Sequence, residues 1–163
     1  MRVFLFMILI ITCGSCAFFR YHSSLVSKPD RRIRNVAVLI FVDPNQTELL
    51  TDRPRFGATR AVAEQLADLG AFNFKILERN IPLFKINNMQ DNNIAFELRE
   101  TYDAYITIVA KNRLTDKVTL EMRQTNSKGT LLIEARHAVF GENTEEAVRG
   151  TMDLFAKEWK AIQ

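Results

Sequence analysis

Hydrophobic and polar positions follow patterns that change from one segment of the chain to the next. Residues 36–42 (VAVLIFV) form a continuous, mostly β-branched apolar run, as expected of a strand buried on both faces. Apolar residues recur at helical spacing over 56–69, and Gly70 stands where a C-cap glycine belongs. Apolar and polar residues alternate over 72–76, and this pattern predicts a second strand over 72–77. Strand, helix and strand together predict a βαβ unit.

The second half of the chain predicts an antiparallel addition to that unit. A helix is expected to begin near Asp91, and 104–110 (AYITIVA) predicts a third, mostly buried strand. Residues 117–123 alternate cleanly between apolar and polar side chains. The turn residues at 126–129 separate them from a fifth strand that ends near 140, which predicts a hairpin or meander.

The last predicted element is an amphipathic helix. Asn143 can cap its first turn, and Glu146 stands three residues later, in a capping-box-like arrangement. Its apolar stripe predicts packing on the sheet, with a groove of a partner protein as the alternative; the stripe is Val148, Met152, Phe155, Trp159 and Ile162. The predicted fold is a single α/β domain of order β-α-β-α-β-β-β-α, with a mixed sheet flanked by about three helices.

The amino-terminal segment has the pattern of a secretory leader. One cation, Arg2, precedes an apolar run over 3–11, and small residues lead to Cys16. Residues 13–16 (Cys-Gly-Ser-Cys) resemble a bacterial lipobox, although Cys13 stands where that pattern usually has an aliphatic residue. The resemblance implies cleavage before Cys16 and diacylglycerol on its sulfur. Because Ala17 follows, the resemblance to Gram-negative lipoproteins implies sorting to the periplasmic face of the outer membrane.

Two other interpretations of the leader remain open. An uncleaved span over 3–19 would be marginal in length, and the cations that follow it would hold the domain in the cytoplasm by the positive-inside rule. The second interpretation is plain secretion without a lipid. Inner-membrane anchoring and secretion are thus the two alternatives to an outer-membrane lipoprotein. The predicted domain organisation is a signal peptide over 1–15, a lipidated cysteine with a basic tether over 16–34, and the α/β domain over 35–163. The tether's cations could rest on anionic headgroups or be solvated.

Composition excludes several classes of function. The formal net charge of +3 does not argue for a nucleic-acid partner. Both cysteines, Cys13 and Cys16, lie in the leader, which excludes a disulfide scaffold and a cysteine-based zinc site in the folded part. His22 lies in the predicted tether, and His137 lies in phase with the buried positions of the fifth strand. No glycine-rich phosphate loop and no Gly-x-Ser-x-Gly motif is present. The sequence therefore predicts no catalytic residue, no metal and no cofactor.

The order of elements resembles the TolB amino-terminal-like domain. The most telling match runs from Leu-Gly-Ala-Phe at 69–72 to Glu-Arg at 78–79, and Asp-Ala-Tyr-Ile at 103–106 follows. That domain occurs in curli-secretion-type lipoproteins and in lipoprotein activators of penicillin-binding proteins. The resemblance implies a non-enzymatic envelope lipoprotein that binds or regulates another envelope protein or assembly. A more distant resemblance, through 52–54 and the 118–135 hairpin, is to auxiliary lipoproteins that handle lipid or small molecules for ABC-type transport systems.

One loop is a candidate docking site. Residues 43–55 follow the carboxyl end of the first predicted strand, where open α/β sheets usually place their binding surfaces. Asp52, Arg53 and Arg55 have no core periodicity there and are predicted to bind a partner protein, with an ordinary solvated loop as the alternative. An exposed apolar patch with a polar rim would favour a protein partner, and an apolar groove between the second helix and the sheet would favour lipid.

Overall fold

The computed structural model describes residues 21–42, 53–77, 91–111, 115–140 and 144–162. The described chain forms one six-stranded sheet with strand order β1-β6-β5-β4-β2-β3. The strands are β1 (Tyr21–Leu25), β2 (Asn35–Val42), β3 (Asn73–Leu77), β4 (Ala104–Lys111), β5 (Thr115–Gln124) and β6 (Leu131–Phe140). The helices are α1 (Arg53–Leu69), α2 (Asp91–Leu98) and α3 (Thr144–Lys160).

The sheet is mixed, as predicted. β2 pairs in parallel with β3 and with β4, so β2, α1 and β3 form the predicted βαβ unit. β5 pairs antiparallel with β4 on one side and with β6 on the other, as the predicted hairpin or meander requires. The predicted α/β class and single mixed sheet are therefore confirmed.

One face of the sheet is covered by α1 and α3. The predicted stripe of α3 is buried in this layer at Val148, Met152, Phe155 and Trp159, which confirms that it packs on the sheet. α1 contributes Ala58, Ala61, Val62 and Leu66 to the same cluster. Burial of this continuous apolar layer is the main source of the fold's stability.

The opposite face is covered by α2 over the centre of the sheet. Ile94, Ala95 and Leu98 of α2 pack with Leu39 and Tyr105 of β2 and β4. Alternate residues of β2 thus enter the cores on the two faces, which explains why its sequence is apolar without interruption. Beyond α2, the same face of β5 and β6 carries charged side chains: Glu121, Arg123, Glu134 and Arg136.

The prediction of a tether over 16–34 is wrong for Tyr21–Leu25. These residues form β1, which pairs antiparallel with β6 at one edge of the sheet, Tyr21 opposite His137 and Leu25 opposite Ile133. The Ser23 hydroxyl donates a hydrogen bond to Glu158 of α3 at 2.7 Å. The segment's serines gave no strand periodicity, and its extended form comes from pairing with a strand far along the chain.

The rest of the predicted tether, residues 26–34, is also joined to the domain by hydrogen bonds. The backbone N–H of Val26 donates to Leu132 at 2.8 Å. The N–H groups of Arg34 and Asn35 both donate to one carboxylate oxygen of Asp103, at 2.9 and 3.0 Å. Residues from Tyr21 onward therefore belong to the folded domain, and the segment that joins β1 to β2 follows the sheet. Within the described residues, no helix is long and apolar enough to cross a membrane.

Candidate functional site

The residues predicted to bind a partner are only partly within the described chain. Asp52 lies outside it, as does Cys16, the predicted site of lipidation. Arg53 and Arg55 lie in the first turn of α1, so the predicted loop is wrong at these two positions. The turn begins at Arg53 because Pro54 suits the first turn of a helix, where a backbone N–H has no intrahelical acceptor. Their role in partner binding stays a prediction.

The two histidines come from neighbouring strands but face opposite sides of the sheet. His22 lies opposite Arg136 and is exposed, whereas His137, one position further along β6, is 6% exposed. Its Nδ1 lies 3.3 Å from the carbonyl oxygen of Ala147, and its ring centroid lies 4.5 Å from that of Tyr21. The predicted buried position of His137 is confirmed. Among the described residues, no group of His, Cys, Asp and Glu could hold a metal ion.

A groove of about 500 Å³ lies at the amino ends of β2 and β3. α1 ends above it, and Gly70 turns the chain towards β3 with a φ of 58°, a conformation that favours glycine. The groove is lined by residues that precede β2, end α1 and begin β3: Arg32, Ile33, Arg34, Leu66, Ala67, Gly70, Ala71, Phe72, Asn73 and Phe74.

The groove has an apolar floor and a basic rim. Ile33 and Leu66 are buried, and Phe72 and Phe74 are half-buried against the same core. Arg32 and Arg34 are exposed. Because Ile33 and Leu66 are buried, the surface that the groove exposes is more polar than apolar, and Phe72 and Phe74 supply its exposed apolar part. Protein recognition sites commonly mix apolar and charged groups in this way.

Trp159 supports the floor from behind. Its ring meets that of Phe72 edge-on at 5.1 Å and lies nearly parallel to that of Phe155 at 6.3 Å. Its indole N–H is buried and has no hydrogen-bond acceptor among the described residues. Trp159 is only 5% exposed, so it shapes the groove through Phe72 and has little surface of its own for a partner.

The groove adjoins an edge of the sheet. β3 is the last strand in the order, so its outer edge pairs with no other strand of the described chain. Asn73 and Lys75 are exposed along it, alternating with the half-buried Phe74. An open edge offers backbone N–H and C=O groups to another chain, and an exposed lysine on such an edge is a common guard against unspecific pairing.

The basic rim is held in place through the backbone. Asp103 accepts hydrogen bonds from the N–H groups of Arg34 and Asn35, and its other oxygen lies 3.9 Å from the Arg31 guanidinium. The Arg31 guanidinium also donates to the Thr125 hydroxyl at 3.3 Å. The exposed Arg34 side chain therefore starts from a fixed backbone position.

A second charged cluster joins α1 to α3. Glu64 accepts hydrogen bonds from Arg60 at 2.8 Å and from Arg149 at 2.7 Å, and Arg149 also bonds Glu145 at 2.9 Å. Hydrogen bonds from Arg60 and then Arg149 lower the pKa of Glu64 below its ordinary value. This cluster links the two helices that cover the sheet, and we assign it a structural role.

Sequence reasoning missed the groove because its two halves are far apart in the chain. The sequence pattern predicts a tether that contains Arg32 and Arg34 and a strand that contains Phe72 and Phe74. The signal that could have joined them is the predicted βαβ unit, because parallel pairing of its strands places Asn35 opposite Asn73. That register brings the residues preceding β2 to the turn that precedes β3.

Comparison with known proteins shows a shared fold and no family. No protein-family model and no curated protein matches the chain. The PelC dodecamer from Paraburkholderia phytofirmans is 16% identical, with 88% of this chain and 97% of that chain covered and a TM-score of 0.52. A point variant of the same PelC dodecamer is 15% identical, with 88% and 98% covered and a TM-score of 0.51. At these identities the likeness establishes the fold alone, and the resemblance to TolB-like domains stays a prediction.

Proposed function

We propose that this protein is a non-enzymatic envelope lipoprotein that binds another envelope protein through the groove. A lipid on Cys16 anchors it to the periplasmic face of the outer membrane. The observation that carries the proposal is the groove itself, an apolar floor with a basic rim beside an open sheet edge. A peptide or loop could place apolar side chains on Phe72 and Phe74 and acidic ones beside Arg32 and Arg34.

A lipid-handling accessory of an ABC-type transport system is the alternative that the sequence left open. Lipid handling would require an apolar cavity between α2 and the sheet. The α2 side chains Ile94, Ala95 and Leu98 instead pack closely on the sheet, and each is buried. This close packing supports the protein-binding function over the lipid-handling one.

The fold also supports a second copy of this chain as the partner. The structural neighbour PelC is a dodecamer. Assembly of a chain with copies of itself through head-to-tail contacts requires two different surfaces on each subunit, one of which meets the other on the next copy. The sheet has two unlike edges, β1 and β3, and Tyr21 and Val26 are 60% and 51% exposed along the first.

Site-specific photocross-linking in whole cells tests the proposal. A photoreactive amino acid at Asn73, on the groove, is expected to yield a discrete protein adduct, whereas the same probe at the exposed Asp153 of α3 yields none. An adduct of twice the protein's mass would identify a second copy. A lipid adduct, or equal adducts at both positions, would contradict a protein-binding groove.

A further inference from the structure

The two corners of the sheet that matter for function lie diagonally opposite each other. Tyr21 begins β1 at one edge of the sheet, and the register places it in a row with the carboxyl ends of the parallel strands; the row is Tyr21, His137, Val118, Ala110 and Val42. The groove lies at the other edge, β3, and at the amino ends of β2 and β3.

Strand geometry gives the separation of these corners. Five strand spacings of about 4.8 Å separate β1 from β3, or about 24 Å across the sheet. Seven residue-to-residue steps along β2, from Val42 back to Asn35, span about 23 Å at about 3.3 Å per step. The Tyr21 corner and the groove are therefore about 30 Å apart.

The link to the predicted anchor is shorter than this distance. Only residues 17–20 stand between Cys16 and Tyr21. Five Cα–Cα steps reach at most about 18 Å even when fully extended. A domain that turned its groove towards the membrane would carry Tyr21 about 30 Å away from the headgroups, which is farther than the link can reach.

We infer that the Tyr21 corner of the sheet rests at the membrane surface that carries the lipid on Cys16, and that the groove faces away from that membrane. This inference rests on the proposed lipidation of Cys16. Tyr21 suits the position, because it is 60% exposed and tyrosine is enriched at the level of lipid headgroups.

The orientation changes the role of the basic segment that precedes β2. Arg32 and Arg34 border the groove, at the corner farthest from the anchor, so they do not rest on the headgroups of the anchoring membrane. Their charges are available to the partner protein. That partner binds about 30 Å from the Tyr21 corner, the distance that strand spacing and rise give. An acidic segment of a protein in the aqueous periplasm fits that surface.

Quenching by headgroup-labelled lipids tests the orientation. The mature lipoprotein is reconstituted in phospholipid vesicles containing nitroxide-headgroup lipids, with a dye on an azide-bearing amino acid at either His22 or Lys75, both exposed. We expect quenching at His22 to be several-fold stronger than at Lys75. Equal quenching, or stronger quenching at Lys75, would overturn the orientation.

Two controls separate this inference from the proposed function. A twelve-residue Gly/Ser insertion after Ala17 is expected to abolish the difference between the dyes without changing the melting temperature, since a longer flexible link no longer restricts the domain. Persistence of the difference would refute the role of the short link. Mass spectrometry of Cys16 reports lipidation directly: an unmodified protein with both dyes unquenched refutes the proposed anchor, whereas a lipidated protein with equal quenching refutes only the orientation.

Discussion

The imidazole of His137 lies directly beneath Gly150 of α3. A Cβ atom built on Gly150 would stand 2.5 Å from Cε1 of His137 and 2.6 Å from its Nδ1. The ring is held from two other sides, by the Ala147 carbonyl and by Tyr21. Glycine at 150 thus lets α3 approach β6 closely at the point where β1 also joins.

Gly150→Ala is therefore expected to destabilise the domain. Replacing glycine by alanine inside a helix ordinarily stabilises by about 0.5–1 kcal/mol, but overpacking against a fixed ring costs about 1–3 kcal/mol. We expect a net loss measurable by chemical denaturation. The matched control is Gly57→Ala in α1, where a Cβ would lie 3.3 Å from the Glu145 carboxylate and 3.9 Å from the Cβ of Glu145. A Gly150→Ala variant as stable as the Gly57→Ala variant would contradict the close contact.

Phe155→Ala is expected to cost about 3–5 kcal/mol of unfolding free energy, as for other buried aromatic residues. Phe155 is fully buried between α3 and the sheet and packs beside Trp159. Because a domain of this size has a total stability of about 5–15 kcal/mol, the melting temperature should fall visibly. Lys157→Ala, at an exposed position of the same helix, should melt within error of the wild type. A Phe155→Ala variant that melts like wild type would refute the packing of α3.

The sequence predicted those elements in which the spacing of apolar residues along the segment reflects which side chains are buried. The uninterrupted apolar run of β2 corresponds to burial on both faces, and the stripe of α3 corresponds to its contact with the sheet. β1 escaped prediction because its serines carry no such pattern and its strand form depends on pairing with β6. The groove was not predicted for a related reason, because it forms only when β2 and β3 pair in one particular register.

Acid should weaken the link between α1 and α3. Hydrogen bonds from Arg60 and Arg149 lower the pKa of Glu64 below 4.5, so they stabilise the folded state at pH values above 4.5, and this contribution is lost as the pH falls through the lowered value. The arginines stay protonated throughout. We expect the melting temperature of Glu64→Gln to lie below that of the wild type at neutral pH and to converge with it in acid. Because the ion pairs are partly exposed to solvent, high salt should also narrow the difference in melting temperature. A gap that stays constant between neutral and acid pH would contradict the assignment.

Lipidation of Cys16 predicts a specific processing defect. Cys16→Ser should accumulate as a larger, uncleaved precursor and should not incorporate a fatty-acid analogue. Cys13→Ser serves as the control, since the lipobox resemblance places the lipid on Cys16 alone. Normal processing and labelling of Cys16→Ser would refute the anchor. Fractionation of the wild type with inner membrane would instead refute outer-membrane sorting.

The groove rim and the residues predicted from the sequence are two competing docking sites at opposite ends of the sheet. Arg32 and Arg34 border the groove at the amino ends of the parallel strands. Arg53 and Arg55 begin α1, which follows the carboxyl end of β2. We expect the charge reversal Arg32→Glu with Arg34→Glu to remove most of the adduct formed from Asn73, because it repels an acidic partner.

The matched double variant decides between the sites. Arg53→Ala with Arg55→Ala should leave the Asn73 adduct at its wild-type yield if the groove is the docking surface. Thermal melts of both double variants should coincide with the wild type, since Arg32 and Arg34 are exposed and the first turn of a helix tolerates alanine. Retention of the adduct in the rim variant together with its loss in the α1 variant would move the docking site to the start of α1. Such a result would place the partner at the end of the sheet where Tyr21 lies, and therefore close to the membrane.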